Sequence, residues 1–385
     1  MRWLPITALL LTTFVTVVNA CVVDSILVFK KYTIVSSNNR LLDERYKTLY
    51  LPKSCMEPAY RELRKLVEAD VSSAGKTEFE LLSSLNEWVS RQWEHDGARL
   101  PGADQTSLSV LHEARAGRRF NCDAYALVLS DVLISYGYIA RRIYLRSRTA
   151  AYSGAGQGHV AVGVFSNQFR RWLFLDPQNN GMILRNGEPA SAYDAIQSVI
   201  KGDSNNLEFR STKLSPTEYK DFFRQYDGFV SIALTIGGEL VFVSLPVDTT
   251  IQPYMTFQGI AENGTIFTNN RNSIYMPVNN VNIAFYSESA AQFDTIIKRH
   301  NVRSTDEYVQ YQPLFSPGPI YFVKFRNNVP WFARYEFSID DGPWMSVAKD
   351  VAWIRFHDGL NILRTRAINE AGVPTPEVRM EIKYD

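Results

Sequence analysis

The chain has 385 residues, too many for one hydrophobic core of ordinary size, so two or three domains are expected. Hydrophobic residues make up 45% and charged residues 21%, a globular balance, and the formal net charge of +1 leaves no long-range field to gather nucleic acid. Aromatics at 13% favour strands and half-buried surfaces, so substantial β structure is expected.

The opening stretch, MRWLPITALLLTTFVTVVNAC, carries Arg2, an apolar run from Trp3 to Val18, then Asn19, Ala20 and Cys21. A basic start, a short apolar core and small residues are the layout of an export signal, so residues 1–20 read as a signal peptide. No later segment approaches about 18 consecutive apolar residues, and no spanning helix is expected in the mature chain. VNAC resembles the lipobox of bacterial lipoproteins, which implies cleavage before Cys21 and acylation of its sulfur. The expectation is an exported lipoprotein of the cell envelope, held to the membrane by that lipid, or a secreted protein if Cys21 is left unmodified. Export also implies an oxidising compartment. With Cys21 acylated, Cys55 and Cys122 remain, and they either bridge each other or leave Cys122 for chemistry.

Residues 56–117 read as mainly helical. TEFELLSSLNEWVSRQW sets Thr77 three residues before Glu80, a capping box, ahead of a stripe of Phe79, Leu82, Leu85 or Asn86, Val89 and Trp93. SLSVLHEARAG is a second short helix, stopped by Gly117. A third begins at Cys122 and is apolar almost all round, from Ala124 to Tyr136, as in a helix buried inside a domain. After Gly137 come the strand-like runs IARRIYLRS, HVAVGVFS and RRWLFLD, and the short NQF connection makes the last two an antiparallel hairpin. SPTEYKDFFRQY is a capped helix with Pro216 in its first turn. From about residue 228 helical periodicity fades into FVSIAL, ELVFVSL, YMTFQGI, GTIFT, SIYMP and VNIAFYS, strands at sandwich-like spacing, with FSPGP at 315–319 as a boundary.

Three side chains stand out in order. Cys122 opens a helix, His159 opens one strand of the hairpin, and Asp176 closes the other, so His159 and Asp176 become neighbours at one end of the sheet. A helix N-terminus and an imidazolium both favour a thiolate. Cys122 then serves as nucleophile, His159 takes and returns its proton, Asp176 fixes the imidazole tautomer, and the Cys122 amide N–H faces an oxyanion. The bland alternative is a packed cysteine, a solvent-facing histidine and a turn-forming aspartate.

The stretch GRRFNCDAYALVLSDVLISYGYIARRIYL with GHVAVGVFSNQFRRWLFLDPQNN resembles the transglutaminase-like superfamily, whose pattern is a helix-leading Cys, G-I-P-A-R-x-V after that helix, a strand His, and W-x-x-x-D-P. The match covers about residues 77–200, with Ile139 where many members have Pro. The resemblance implies an α+β papain-like fold and a catalytic triad of Cys122, His159 and Asp176. Animal members depend on calcium, but nothing here resembles an acidic calcium loop, so no metal and no cofactor are expected. DDG at 340–342 reads as a hairpin turn. The last 55 or so residues, through YEFSIDDGPW and GLNILRTRAINEAG, resemble the final strands of a fibronectin-III or immunoglobulin-like β-sandwich.

The expected division is a signal peptide at 1–20, the transglutaminase-like domain at 21–227, a β-rich domain at 228–318 and the sandwich at 319–385. Trp93 and His95, in W-E-H-D-G, are candidates to line the cleft or to donate to an oxyanion. Arg141 and Arg142 are expected to pair with a buried acid. SGAGQGHV precedes a strand and not a helix, so it reads as a loop beside His159 and not as a phosphate cradle. Asn263-Gly264-Thr265 matches a glycosylation sequon, and His112, His300 and His357 have no evident partner motif. The expected function is thioester acyl transfer on peptide or side-chain amide bonds of a protein or peptide substrate, hydrolysis preferred over crosslinking. The alternative is an inactive cleft that binds polypeptide or glycan.

Overall fold

A computed structural model describes residues 29–43, 49–102, 104–149, 158–248, 250, 264–286, 289–347 and 349–385. The expected signal peptide, Cys21, the loop at 150–157, YMTFQGI and Asn263 lie outside the described residues. The chain divides into two compact units, 32–288 with 318–385, and 1–31 with 289–317. No helix among the described residues is long and apolar enough to cross a membrane.

The larger unit begins with strand β1 (Tyr32–Ser37), then helices α1 (Pro58–Glu68), α2 (Glu78–Ser90), α3 (Ser107–Arg115) and α4 (Cys122–Ser135). Thr77 and Glu80 form the capping box of α2, and Asn121 caps α4 by accepting from the Ala124 amide. Gly137, at φ +85°, ends α4: its amide and that of Tyr138 return to the carbonyls of Ile134 and Leu133.

Next come β2 (Ala140–Arg146), β3 (Gly158–Ser166), β4 (Arg171–Asp176), β5 (Gly181–Arg185), β6 (Glu188–Pro189), α5 (Ala192–Ile200), β7 (Leu207–Ser211), α6 (Pro216–Arg224), β8 (Phe229–Ile236), β9 (Glu239–Pro246) and β10 (Thr265–Phe267). They form one nine-stranded sheet in the order β10-β9-β8-β2-β3-β4-β5-β6, with β7 also on β5. The NQF connection does turn a hairpin, pairing Val162 with Leu175. Side chains alternate across the sheet. Val162, Val164, Leu173 and Leu175 join the core made with α1–α4, while Ala161, Phe165, Trp172 and Phe174 join the core under α5 and α6. Burial on both faces is why HVAVGVF is a nearly unbroken apolar run.

Here the expected domain boundary fails. Strands β8 and β9 do not begin a separate β-rich domain at 228; β8 pairs with β2, Ile143 opposite Ile232. The physical reason is the core under α5 and α6, which Ile232, Leu234, Val243 and Leu245 complete. SIYMP is also no strand: after a 3-10 turn at Arg271–Ser273, Ile274, Met276 and Val278 enter that same core from irregular backbone.

Strand β11 (Val281–Tyr286) precedes the smaller unit, where α7 (Ser289–His300) and α8 (Thr305–Gln310) stand in a region expected to be all strand. Ser304 and Glu307 cap α8 in a capping box, and Phe293, Tyr308 and Phe315 cluster with centroids 4.8–6.2 Å apart. The larger unit resumes with β12 (Ile320–Asn327), β13 (Phe332–Ile339), β14 (Met345–Val347), β15 (Val351–Arg355), β16 (Gly359–Asn369) and β17 (Val378–Tyr384). Two sheets, β1-β17-β16-β13-β14 and β11-β12-β15, share one apolar core that includes Phe325, Phe337, Leu363 and Ile382. A sandwich confined to 319–385 would lack β1 and β11, so that boundary is corrected too. DDG is the turn between β13 and β14, with Asp340 and Asp341 at positive φ. The loop after β16 reaches the end of α4: Asn369 Nδ2 donates to the Gly137 carbonyl at 2.8 Å, and a Cβ at Gly137 would stand 2.6 Å from Ala371 Cβ.

Candidate active site

Cys122 is the first residue of α4 and is partly exposed. His159 lies one residue inside β3, and Asp176 is the last residue of β4. Because Val162 pairs with Leu175, continuing the ladder brings Asp176 toward Ala161, two residues along the same face from His159. Asp176 Oδ1 stands 3.1 Å from His159 Nε2 with both side chains buried. This is an ion-pair distance; the ring N–H is not aligned on the oxygen well enough to make a good hydrogen bond. Cys122 acts electrostatically on the imidazole, and with Nε2 facing the carboxylate, Nδ1 is the nitrogen left for sulfur.

Burial opposes charge on His159, but the Asp176 carboxylate, joined by Cys122, outweighs it and pushes the imidazole pKa up to about 10. Burial would likewise raise the Asp176 carboxyl, yet His159, Asn179 and Tyr219 together hold it below the usual carboxylate range. The site therefore stabilises an imidazolium–carboxylate pair.

Asp176 has its own cradle. Asn179 Nδ2 donates to Oδ2 at 2.9 Å and the Asn179 amide to Oδ1 at 3.4 Å, while the Tyr219 hydroxyl donates to Oδ2 at 3.1 Å. Tyr219 comes from α6, and Phe222 on that helix and Tyr226 just past its end continue over the site. Phe222 meets the His159 ring edge-on at 5.1 Å, and Tyr226 stacks on it at 5.7 Å. Glycine at 181, opposite Asp176 on β5, is what lets Tyr219 in, since a Cβ there would overlap the phenol ring and its hydroxyl. Gly181→Ala is thus expected to cost about 1–3 kcal/mol by overpacking. Urea unfolding would measure it, and an unchanged midpoint would show that the phenol yields freely.

Trp93 is buried, stacked on Tyr125 at 4.3 Å, and its indole N–H has no partner among the described residues. Tyr125 donates its hydroxyl to the Trp93 carbonyl, which fixes that segment to the second turn of α4. His95 bridges to Phe120, two residues before Cys122, and its pKa is lowered by burial and then by the charge on His159. The W-E-H-D-G segment therefore borders the triad. Asn179, Gly181, Tyr219, Phe222 and Tyr226 were not singled out from sequence; Asn179 lies in the DPQNN stretch already read, and the aromatics of α6 follow a helical spacing that signals burial, not a target.

Of the two readings left open for the cysteines the bridge is not the one found, and the expectation for the arginines is overturned. Cys55 and Cys122 are both free, with Cys55 fully buried and its thiol pKa pushed up to about 11 by burial and Glu370. The arginines do not share a buried acid. Arg142 pairs at 3.0 Å with Asp123, which is partly exposed. Arg141 instead donates to the Ile274 carbonyl and lies 3.8 Å over the Trp172 ring, its pKa lowered by burial to about 9.

No family model matches the sequence, and no curated protein matches it either. Among solved structures the fold is similar to that of an inferred cysteine protease from Cytophaga hutchinsonii, at 12% identity and a TM-score of 0.26 over 34% of this chain and 40% of that one. It is also similar to red sea bream transglutaminase, at 12% identity and a TM-score of 0.28 over 85% of this chain and 62% of that one. The chain spans less than two thirds of either protein's length. These are distant likenesses, and the chemistry has to be read from the side chains.

Proposed function

We propose that the chain is a transglutaminase-like cysteine enzyme that breaks peptide or side-chain amide bonds through a thioester on Cys122. The observation that supports this reading is the buried His159–Asp176 pair with Cys122, first residue of α4, close enough to raise the imidazole pKa. In the acylation step Cys122 Sγ bonds to the amide carbonyl carbon, and the thiol proton resides on His159. The C–N bond then breaks, and His159 delivers that proton to the departing amine. Water or a second amine attacks the thioester, returns a proton to His159 and frees the sulfur. The Cys122 amide, at a helix start where no intrahelical acceptor exists, faces the developing oxyanion, with the unpartnered Trp93 indole as a second donor. Water is the preferred acceptor because an exported enzyme meets it at high concentration. In this reading the protein is exported and acylated at Cys21, and its last two sheets form an immunoglobulin-like or fibronectin-III-like sandwich.

Iodoacetamide at neutral pH, followed by peptide mass mapping, tests the site. Native protein is expected to be modified at Cys122 within minutes and to stay unmodified at buried Cys55. A Cys122 that reacts only after unfolding would favour the inactive, polypeptide-binding cleft instead.

A further inference from the structure

The sheet β11-β12-β15 turns one face into an apolar core through Ile283, Val323, Phe325 and Ile354, so the alternate residues of its strands point away from that core. The register aligns Tyr286, Phe322 and Trp353 in one cross-strand row, with neighbouring ring centroids 6.0 and 4.9 Å apart, and sets Ile320 opposite Arg355 in the next. Three of these apolar side chains stay open to solvent: Trp353 is 53% exposed, Ile320 43% and Tyr286 40%.

The charges on this face have one sign. Arg355 and Arg326 are both exposed, and Arg326 donates to the Tyr286 hydroxyl at 3.2 Å. Lys324 lies between them on β12 and β15 and is held by Asp350 at 3.2 Å, so the outward positions of the three strands carry three cations and no acid of their own. Amphipathic rings beside arginines suit a membrane–water interface, where the rings sit at headgroup level and guanidinium groups meet lipid phosphates. Chain length points to the same occupant. Cys21 lies eleven residues before Tyr32 (32 − 21), at most about 40 Å of extended chain, and the Tyr32 ring packs at 5.2 Å on Tyr321, the residue between Ile320 and Phe322. On the reading that Cys21 is acylated, the bilayer is thereby tethered within reach of the row.

We propose that this face docks on an anionic membrane surface, with Tyr286, Phe322 and Trp353 at headgroup level and Arg326 and Arg355 on lipid phosphates. Co-sedimentation tests it with the chain from residue 22, which keeps every described residue and lacks both the apolar run 3–18 and Cys21. That protein is expected to partition at least about tenfold more strongly onto vesicles of phosphatidylcholine with about a third phosphatidylglycerol than onto phosphatidylcholine alone, and to weaken as salt rises. Trp353→Ser and Arg355→Glu, both at exposed positions and compared at equal circular dichroism, are each expected to lose at least about fivefold; if one does not fold, the other decides. No partition onto the anionic vesicles, equal partition onto both kinds, or wild-type partition in a folded variant would overturn the proposal. Binding of soluble polygalacturonate without binding of vesicles would overturn it too, in favour of an acidic glycan. Because the tested chain lacks Cys21, no outcome depends on acylation there or on turnover at Cys122.

Discussion

Cys122→Ala is expected to reduce amide-bond turnover by at least about 10⁴-fold in kcat/KM, because no other group can form the thioester. Alanine is the best helix former, so α4 should start as before, and the thiol's neighbours His159 and Asp176 keep their pair. Ammonia release from a glutamine-containing peptide and cleavage of unfolded protein substrates, each compared at equal circular dichroism, read the effect. The control is internal: Cys55→Ala removes a buried thiol that is in no disulfide among the described residues, so it should cost stability and leave turnover intact. Turnover that survives Cys122→Ala would remove the nucleophile from the mechanism.

Asp176→Asn should be nearly as severe for turnover, about 10⁴-fold in kcat, because the amide neither fixes the proton on His159 nor balances an imidazolium. It should also cost about 3–5 kcal/mol of stability, since it breaks a pair whose two members are both buried. The pH dependence distinguishes this from ordinary core damage. His159 has a raised pKa, so its contribution is full below the unfolded value of about 6.5 and is lost as pH rises through about 10. Asp176 has a lowered one, so its contribution is present above about 3.9, its unfolded value, and is lost as pH falls through its depressed native value. Wild-type stability should therefore decline between pH 7 and 10, and the asparagine variant should be flatter there. Urea titrations of both proteins at pH 6 and 9.5 measure the difference; parallel losses would mean that the decline does not come from an ionised His159–Asp176 pair.

The parts of this site readable in advance were those set by local rules. A run that is apolar almost all round and ends before Gly137 puts Cys122 at a helix start, and a three-residue connection between two apolar runs fixes which ends of β3 and β4 meet. The support around Asp176 was not readable, because Tyr219 reaches it from a helix 43 residues away through space that only Gly181 leaves open. The same reason hid the sheet's true extent. Nothing local to Phe229–Ile236 says that its partner is β2 and not a new domain's strand, since both choices satisfy its alternation. Helices α7 and α8 are a different case: Ser304 followed by Glu307 is the same capping signal as Thr77 followed by Glu80, and it was masked by the strands on either side.

Strand β1 lies antiparallel to β17, Tyr32 opposite Tyr384. A ribosome will thus have emitted the 352 residues that separate Tyr32 from Tyr384 (384 − 32) before β1 can meet its partner, and β16 and β17, whose connecting loop grips the end of α4, arrive equally late. The packing around the end of α4 then waits for these late strands, and chains that stop before them would be held incomplete, the state in which chaperones and proteases recognise them.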